Sequence, residues 1–148
     1  MWTMTLAAVC VLAIAAVGGA ASFQPDVVKA LETSKNLYVA TNRKDGTQSA
    51  KAPIWFMYDG NAVYFSTAPE SHKAKRIAKG SPLWVWVGAE NGPSFVGKAE
   101  LVRDPAVAAM MAPVYDKKYW ISWLGFFRPR PDRVQAGKTV IVKVVPAE

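Results

Sequence analysis

In the stretch VYFSTAPESHKAKRI, a run of β-formers ends in Ser66 and Thr67, and a helix opens at Ser71 with Lys73, Lys75 and Arg76 in its first turns. Hydroxyls, the unpaired N–H groups of a helix start and nearby cations then converge on one point, which is the chemistry that holds a phosphate. Ser71 capping its own helix and lysines on a solvated face account for the same residues more plainly. Cations early in a helix oppose its dipole, so something has to make that arrangement tolerable. The spacing alone leaves the two accounts level. Cys10 is the only cysteine and His72 the only histidine. A disulfide framework, a cysteine zinc cluster and any multi-histidine metal site are therefore excluded.

The elements around this stretch read as follows. Residues 25–33 form a short amphipathic helix, and 37–41 a strand that ends in the turn NRKDG. Residues 48–58 resume an extended run in which Pro53 argues for an edge position or a bulge. Asp59-Gly60-Asn61 is a hairpin turn leading to a strand over 62–67. Ser71 and Gly80 bound a helix over 71–79. Strands follow at 83–87, with Trp84 and Trp86 on one face, and at 94–102, where Phe95, Gly97, Ala99 and Leu101 share a face. Asp104-Pro105 opens a helix to about Met111, residues 115–127 are aromatic and irregular, 128–131 make a Pro-punctuated linker, and 138–145 form a last strand. Six strands joined by short connections predict a mainly β fold with short helices, a closed or partly closed antiparallel barrel. Most connections are too short for parallel crossovers.

The chain has 148 residues, enough for one domain. Hydrophobic residues at 51% and charged ones at 20% exclude disorder by charge excess. A formal charge of +7 suits nucleic acid, anionic lipid or a phosphorylated small ligand, but the charges are scattered, which disfavours a polybasic arm. No charged side chain precedes Asp26, and Leu6 to Ala21 is unbroken apolar or Gly. As a helix that run spans about 24 Å, somewhat short of a ~30 Å hydrocarbon core, and Met4 and Thr5 bring it close to a minimal membrane span. Residues 1–21 are therefore expected to be a membrane anchor or a cleaved signal, with 22–148 the folded domain. Lipid attachment at Cys10 is disfavoured by Val9 directly before it. The basic residues that follow the segment would keep the domain in the cytoplasm if it is an anchor, and a cleaved signal would put it on the other side.

The segment LYVATNRKDGTQSAKAPIWFMYDGNAVYFSTAPESHKAKRI, followed later by FVGKAELVRDP, resembles the pyridoxamine-phosphate-oxidase-like family of flavin-binding split barrels. The likeness lies in an ordered series: strand, D-G turn, strand ending in P-x-W-F, D-G hairpin, and a strand running into S-x-K. It implies a six-stranded split barrel that forms a homodimer and binds FMN at the subunit interface. Thr67, Ser71 and Lys73 would then hold the FMN phosphate, and Lys51 falls where the family often has a basic phosphate contact. The backbone of Ile54, Trp55 and Phe56 would run along the flavin ring. Arg76 could add charge at the phosphate, on helix geometry alone. His72 stands where relatives often have Arg.

The C-terminal Trp and Arg/His pattern by which the true oxidases grip pyridoxal is not recognisable, so vitamin B6 oxidation is disfavoured. Tyr119, Trp120, Trp123, Phe126 and Phe127 occupy that region as pocket wall, dimer contact or plain packing. Arg128 and Arg130 greet an acidic substrate or decorate a loop. The resemblance implies an FMN-dependent oxidoreductase moving hydride through flavin N5, with a nicotinamide donor or oxygen as its small-molecule partner. A deazaflavin in place of FMN, a non-catalytic flavin or haem module and, more remotely, a basic nucleic-acid-binding barrel are the alternatives; no nucleic acid is expected.

Overall fold

The computed structural model describes residues 21–124 and 127–148. Seven strands, β1 (Leu37–Thr41), β2 (Ala52–Ile54), β3 (Met57–Tyr58), β4 (Val63–Thr67), β5 (Leu83–Val87), β6 (Ser94–Val102) and β7 (Val140–Pro146), form one sheet in the order β2-β1-β5-β6-β7-β4-β3. Every pairing is antiparallel. The two ends of that order, β2 and β3, are joined by Trp55 and Phe56 alone. The sheet therefore curls until its ends meet at a two-residue corner, which is the split barrel expected from the sequence.

The expected strand over 48–58 is the one broken there, so the strands number seven and not six. Its first part pairs with β1 and its second with β4. The backbone of Phe56 leaves both ladders at the break and is bonded by side chains from elsewhere in the chain. Pro53, paired opposite Tyr38 in β2, sits on an end strand of the sheet, where its missing N–H is tolerated.

Alternation sets the interior. Leu83, Val85 and Val87 of β5 are buried while Trp84 and Trp86 stand half-buried on the other face. Val39, Phe56, Phe65, Val142 and Val144 meet them inside the barrel, and α1 (Pro25–Thr33) closes one side with Val27 and Leu31. Gly97 lets β6 and β7 approach: a Cβ there would run into Val144 Cγ1. Helix α2 (His72–Ala78) adds Ile77 to the same core and ends at Gly80, whose φ of +94° few other residues adopt.

A second core lies outside the barrel. Helix α3 (Pro105–Lys118) lays Ala108, Met111 and Tyr115 against Met57, Tyr64 and Ile141. This helix runs seven residues past the end expected at Met111, through Pro113, because Met111, Ala112 and Tyr115 are buried while Pro113 faces solvent. A 3-10 turn at Trp120–Leu124 follows, and α4 (Pro131–Gln135) replaces part of the expected linker. Pro131 at its first position and Asp132 in its first turn are the local reasons.

The expectation of a membrane location is corrected. Among the described residues no helix is long and apolar enough to cross a membrane. The apolar segment on which that expectation rested, residues 1–20, lies outside the described residues, as does Phe126.

Candidate functional site

Side chains from the end of α3 converge on the Trp55–Phe56 corner. Tyr119 stacks on Trp55 with ring centroids 4.2 Å apart and planes 3° from parallel. Its hydroxyl accepts the Phe56 N–H at 3.1 Å and donates to Lys35 O at 2.6 Å. The Tyr115 hydroxyl donates to Trp55 O at 3.0 Å, and Lys118 Nζ donates to Phe56 O at 3.1 Å. Lys118 Nζ also lies 3.2 Å from the centroid of the Phe56 ring. Burial lowers the Lys118 ammonium to about 8 and pushes the Tyr119 hydroxyl up to about 12.

Beside this corner is an open cavity of about 500 Å³, lined by Asn36, Pro53, Ile54, Trp55, Ser66, Tyr115 and Phe127. That volume falls within the range of small-molecule sites, and its wall is mostly flat and apolar. Phe127 meets Trp55 edge-on at 5.5 Å and is 76% exposed. A larger cavity, about 1000 Å³, is walled by Phe23, Tyr58, Lys98 and the C-terminal residues 145–148, and none of the expected site residues line it.

Ser66, at one end of the smaller cavity, is followed on β4 by Thr67. Thr67 Oγ1 lies 3.2 Å from Ser71 Oγ, and Ser71 caps α2 by accepting the Ala74 N–H at 3.1 Å. Each hydroxyl keeps further hydrogen-bonding capacity after these contacts. Lys73 is half-buried with its ammonium 5.7 Å from the Phe65 ring centroid, and burial lowers its pKa. Among the described residues it forms no ion pair, whereas Lys75 pairs with Glu70 at 3.5 Å in the open. A desolvated cation without a counter-charge, two residues along the helix from the Ser71 hydroxyl, is an arrangement an anion would complete.

The structure pairs Thr67 with Ser71, carries Lys73 two residues on from Ser71 in α2, and puts Ile54 and Trp55 on the cavity wall that Ser66 also lines. Phe56 is fully buried inside the barrel, behind that wall. Arg76 turns toward β1, donating to Thr41 Oγ1 at 3.3 Å. Lys51 leans toward the β5–β6 turn, with Nζ 2.5 Å from Glu90 O and 4.0 Å from the Trp86 ring centroid. His72 is exposed. Arg128 pairs with Asp116 at 3.0 Å and Arg130 with Asp132 at 2.8 Å.

Lys118 and Tyr115 were not singled out in the sequence. Their signal is the Y-x-x-K-Y spacing, which places three polar-tipped side chains on one helix face once the helix is carried through Pro113.

The shifted groups at the corner, with Lys73, give a pH profile. Lys118, like Lys73, binds its proton less tightly folded than unfolded. Between pH 8 and about 10 the unfolded chain holds more protons, so stability rises with pH. Tyr119 and Tyr115 hold theirs more tightly when folded, so above pH 10 stability falls again. The urea midpoint is expected to rise from pH 8 toward 10 and then drop. Lys118→Met is expected to flatten the rising limb; an unchanged limb would mean Lys118 titrates as an exposed lysine.

Comparison with known proteins adds the lineage. No curated protein matches the chain. Among solved structures, an F420 reductase aligns at 24% identity over 81% of this chain and 92% of its own, with a TM-score of 0.57. General stress protein 26 of Bacillus anthracis aligns at 18% identity over 82% and 86%, with a TM-score of 0.59. The flavocytochrome Anf3 of Azotobacter vinelandii aligns at 18% identity over 86% and 65%, with a TM-score of 0.62. These likenesses share the fold. The family model described as pyridoxamine 5'-phosphate oxidase matches residues 23–148, the whole barrel with both of its cores, and the chain belongs to that family.

Proposed function

We propose that the protein is an FMN-dependent oxidoreductase, with the flavin ring in the cavity at Ile54 and Trp55 and the phosphate at Thr67, Ser71 and Lys73. One observation carries this reading: the largely apolar cavity wall at Ile54 and Trp55 includes Ser66 of β4, and the chain next offers the paired Thr67 and Ser71 hydroxyls and a half-buried Lys73 that has no carboxylate partner among the described residues. The donor set fits a phosphate monoester, and the wall fits a planar ring. When bound, the cofactor supplies hydride transfer at its N5 position. The protein's own part is to bind, orient and exclude water. Trp55 and Tyr115 fix the wall, and Ser71 with Lys73 anchors the phosphate end.

A homodimer belongs to the same proposal. Met110, Val114, Trp120 and Phe127 are exposed around α3 and the 3-10 turn, and a second copy covering them would shelter the cavity mouth. A second reading, a deazaflavin in place of FMN, is favoured by the likeness to the F420 reductase.

The test is an absorption titration of the purified chain with FMN and, separately, with F420, followed by anaerobic addition of a nicotinamide donor. A shifted flavin spectrum that bleaches with the donor supports the first reading. Binding of F420 alone supports the second. A chain that perturbs neither spectrum would overturn both.

A further inference from the structure

The corner that walls the cavity is gripped from outside the barrel by Tyr115, Lys118 and Tyr119. Between them they engage three backbone groups of two residues: Trp55 O, Phe56 N–H and Phe56 O. These groups lost ladder partners when the strand broke, and buried backbone groups must be paired. A neutral donor would satisfy Phe56 O at lower desolvation cost than an ammonium does. The chain adds a lysine beside the Tyr119 hydroxyl, which itself lies 3.3 Å from Phe56 O; the ammonium sits over the Phe56 ring, and among the described residues no carboxylate pairs with it. Asp116, the nearest acid in sequence, pairs with Arg128. The positive charge at the corner is therefore left uncompensated by an ion pair, and in a partly buried position it acts on its neighbours more strongly than it would in water.

We infer that Lys118 is a positioning residue for the cofactor: with Tyr115 and Tyr119 it fixes the peptide groups behind the ring wall, and its charge makes a flavin bound there easier to reduce. This rests on FMN occupying the cavity. A reduced flavin is richer in electrons than an oxidised one, so a nearby uncompensated cation favours it. The same three residues set the plane of the Trp55 indole, through its stack on Tyr119.

The experiment compares the wild-type chain with Lys118→Met, Lys118→Arg and Tyr119→Phe. FMN affinity is measured first, then the midpoint potential of bound FMN against a reference dye. Amide exchange at Phe56 is followed in the FMN-free protein. Lys118→Met is expected to make the potential more negative and to weaken FMN binding about three- to tenfold. Lys118→Arg, which keeps the charge and a donor, should restore the potential toward wild type. Tyr119→Phe should speed Phe56 exchange without FMN present, since it removes the acceptor of that N–H. A potential that does not move in Lys118→Met, with FMN still bound, would overturn the role of Lys118 and leave the proposed function standing. Wild-type chain that binds no FMN would overturn both. Slow Phe56 exchange in Tyr119→Phe would remove the grip itself.

Discussion

Lys73→Ala is expected to weaken FMN binding about ten- to a hundredfold, the loss of one charge-assisted hydrogen bond of about 1.5–3 kcal/mol. The expectation comes from what Lys73 lacks in the folded chain. Burial disfavours its charge, and no carboxylate among the described residues offsets that cost. A phosphate at the Thr67–Ser71 pair would do so. Alanine removes both the cost and the contact, so the unliganded protein should unfold at the same urea concentration or slightly higher. Lys75→Ala is the control: Lys75 is exposed and paired with Glu70, and such a pair contributes little. Riboflavin, which has no phosphate, should bind wild type far more weakly than FMN and should not distinguish Lys73→Ala from it. Equal binding of FMN and riboflavin by wild type would end the assignment of these three residues.

The barrel was legible because its signals are local. Period-two alternation in LWVWV and the turns at Asp59-Gly60 and Gly80 each constrain a few neighbouring residues, and the structure has them as read. The corner was only partly legible. Pro53 and the P-x-W-F strand end hint at an edge or a bulge within residues 48–58, but the groups that capture the Phe56 backbone come from residues 118 and 119, more than sixty positions away. The overlong α3 has the same origin. Pro113 argues locally for a stop, and burial of Met111, Ala112 and Tyr115 against the outer face of the barrel overrides it.

The candidate site was half legible for a related reason. Thr67 and Ser71 lie within one strand-loop-helix unit, and their four-residue spacing brings the two hydroxyls to 3.2 Å. Lys51 and Arg76 depend on where long side chains come to rest, which spacing does not decide. Lys51 rests at Glu90 O and Trp86, and Arg76 at Thr41. The aromatic segment after Tyr115 left pocket wall, dimer contact and plain packing open. The structure divides it: Tyr119 is buried and stacks on Trp55, while Phe127 and Trp120 are exposed.

Phe56→Ala is expected to lower the unfolding free energy by about 3–5 kcal/mol, the usual cost of emptying a fully buried phenylalanine site. Phe56 is 0% exposed and packs in the barrel core. It is also the residue at which the two ends of the sheet meet, so the cavity left behind would sit at the seam. Relaxation there is resisted from both sides. Tyr119 and Lys118 hold the backbone of residue 56 from outside, and β2 and β3 hold it along the chain. For a domain of this size a loss of 3–5 kcal/mol corresponds to a fall in Tm of about 10–20 °C. Lys118 adds a coupling: its ammonium lies over the ring that alanine removes, so Lys118→Met should cost less in the Phe56→Ala background than in wild type. Phe127→Ala, at the exposed end of the same aromatic group, should stay within about 0.5 kcal/mol of wild type. Urea titrations of wild type and the four variants separate these effects. A Phe56→Ala cost below about 1 kcal/mol would mean that the corner collapses freely around the gap, and that the seam is held by its hydrogen bonds alone.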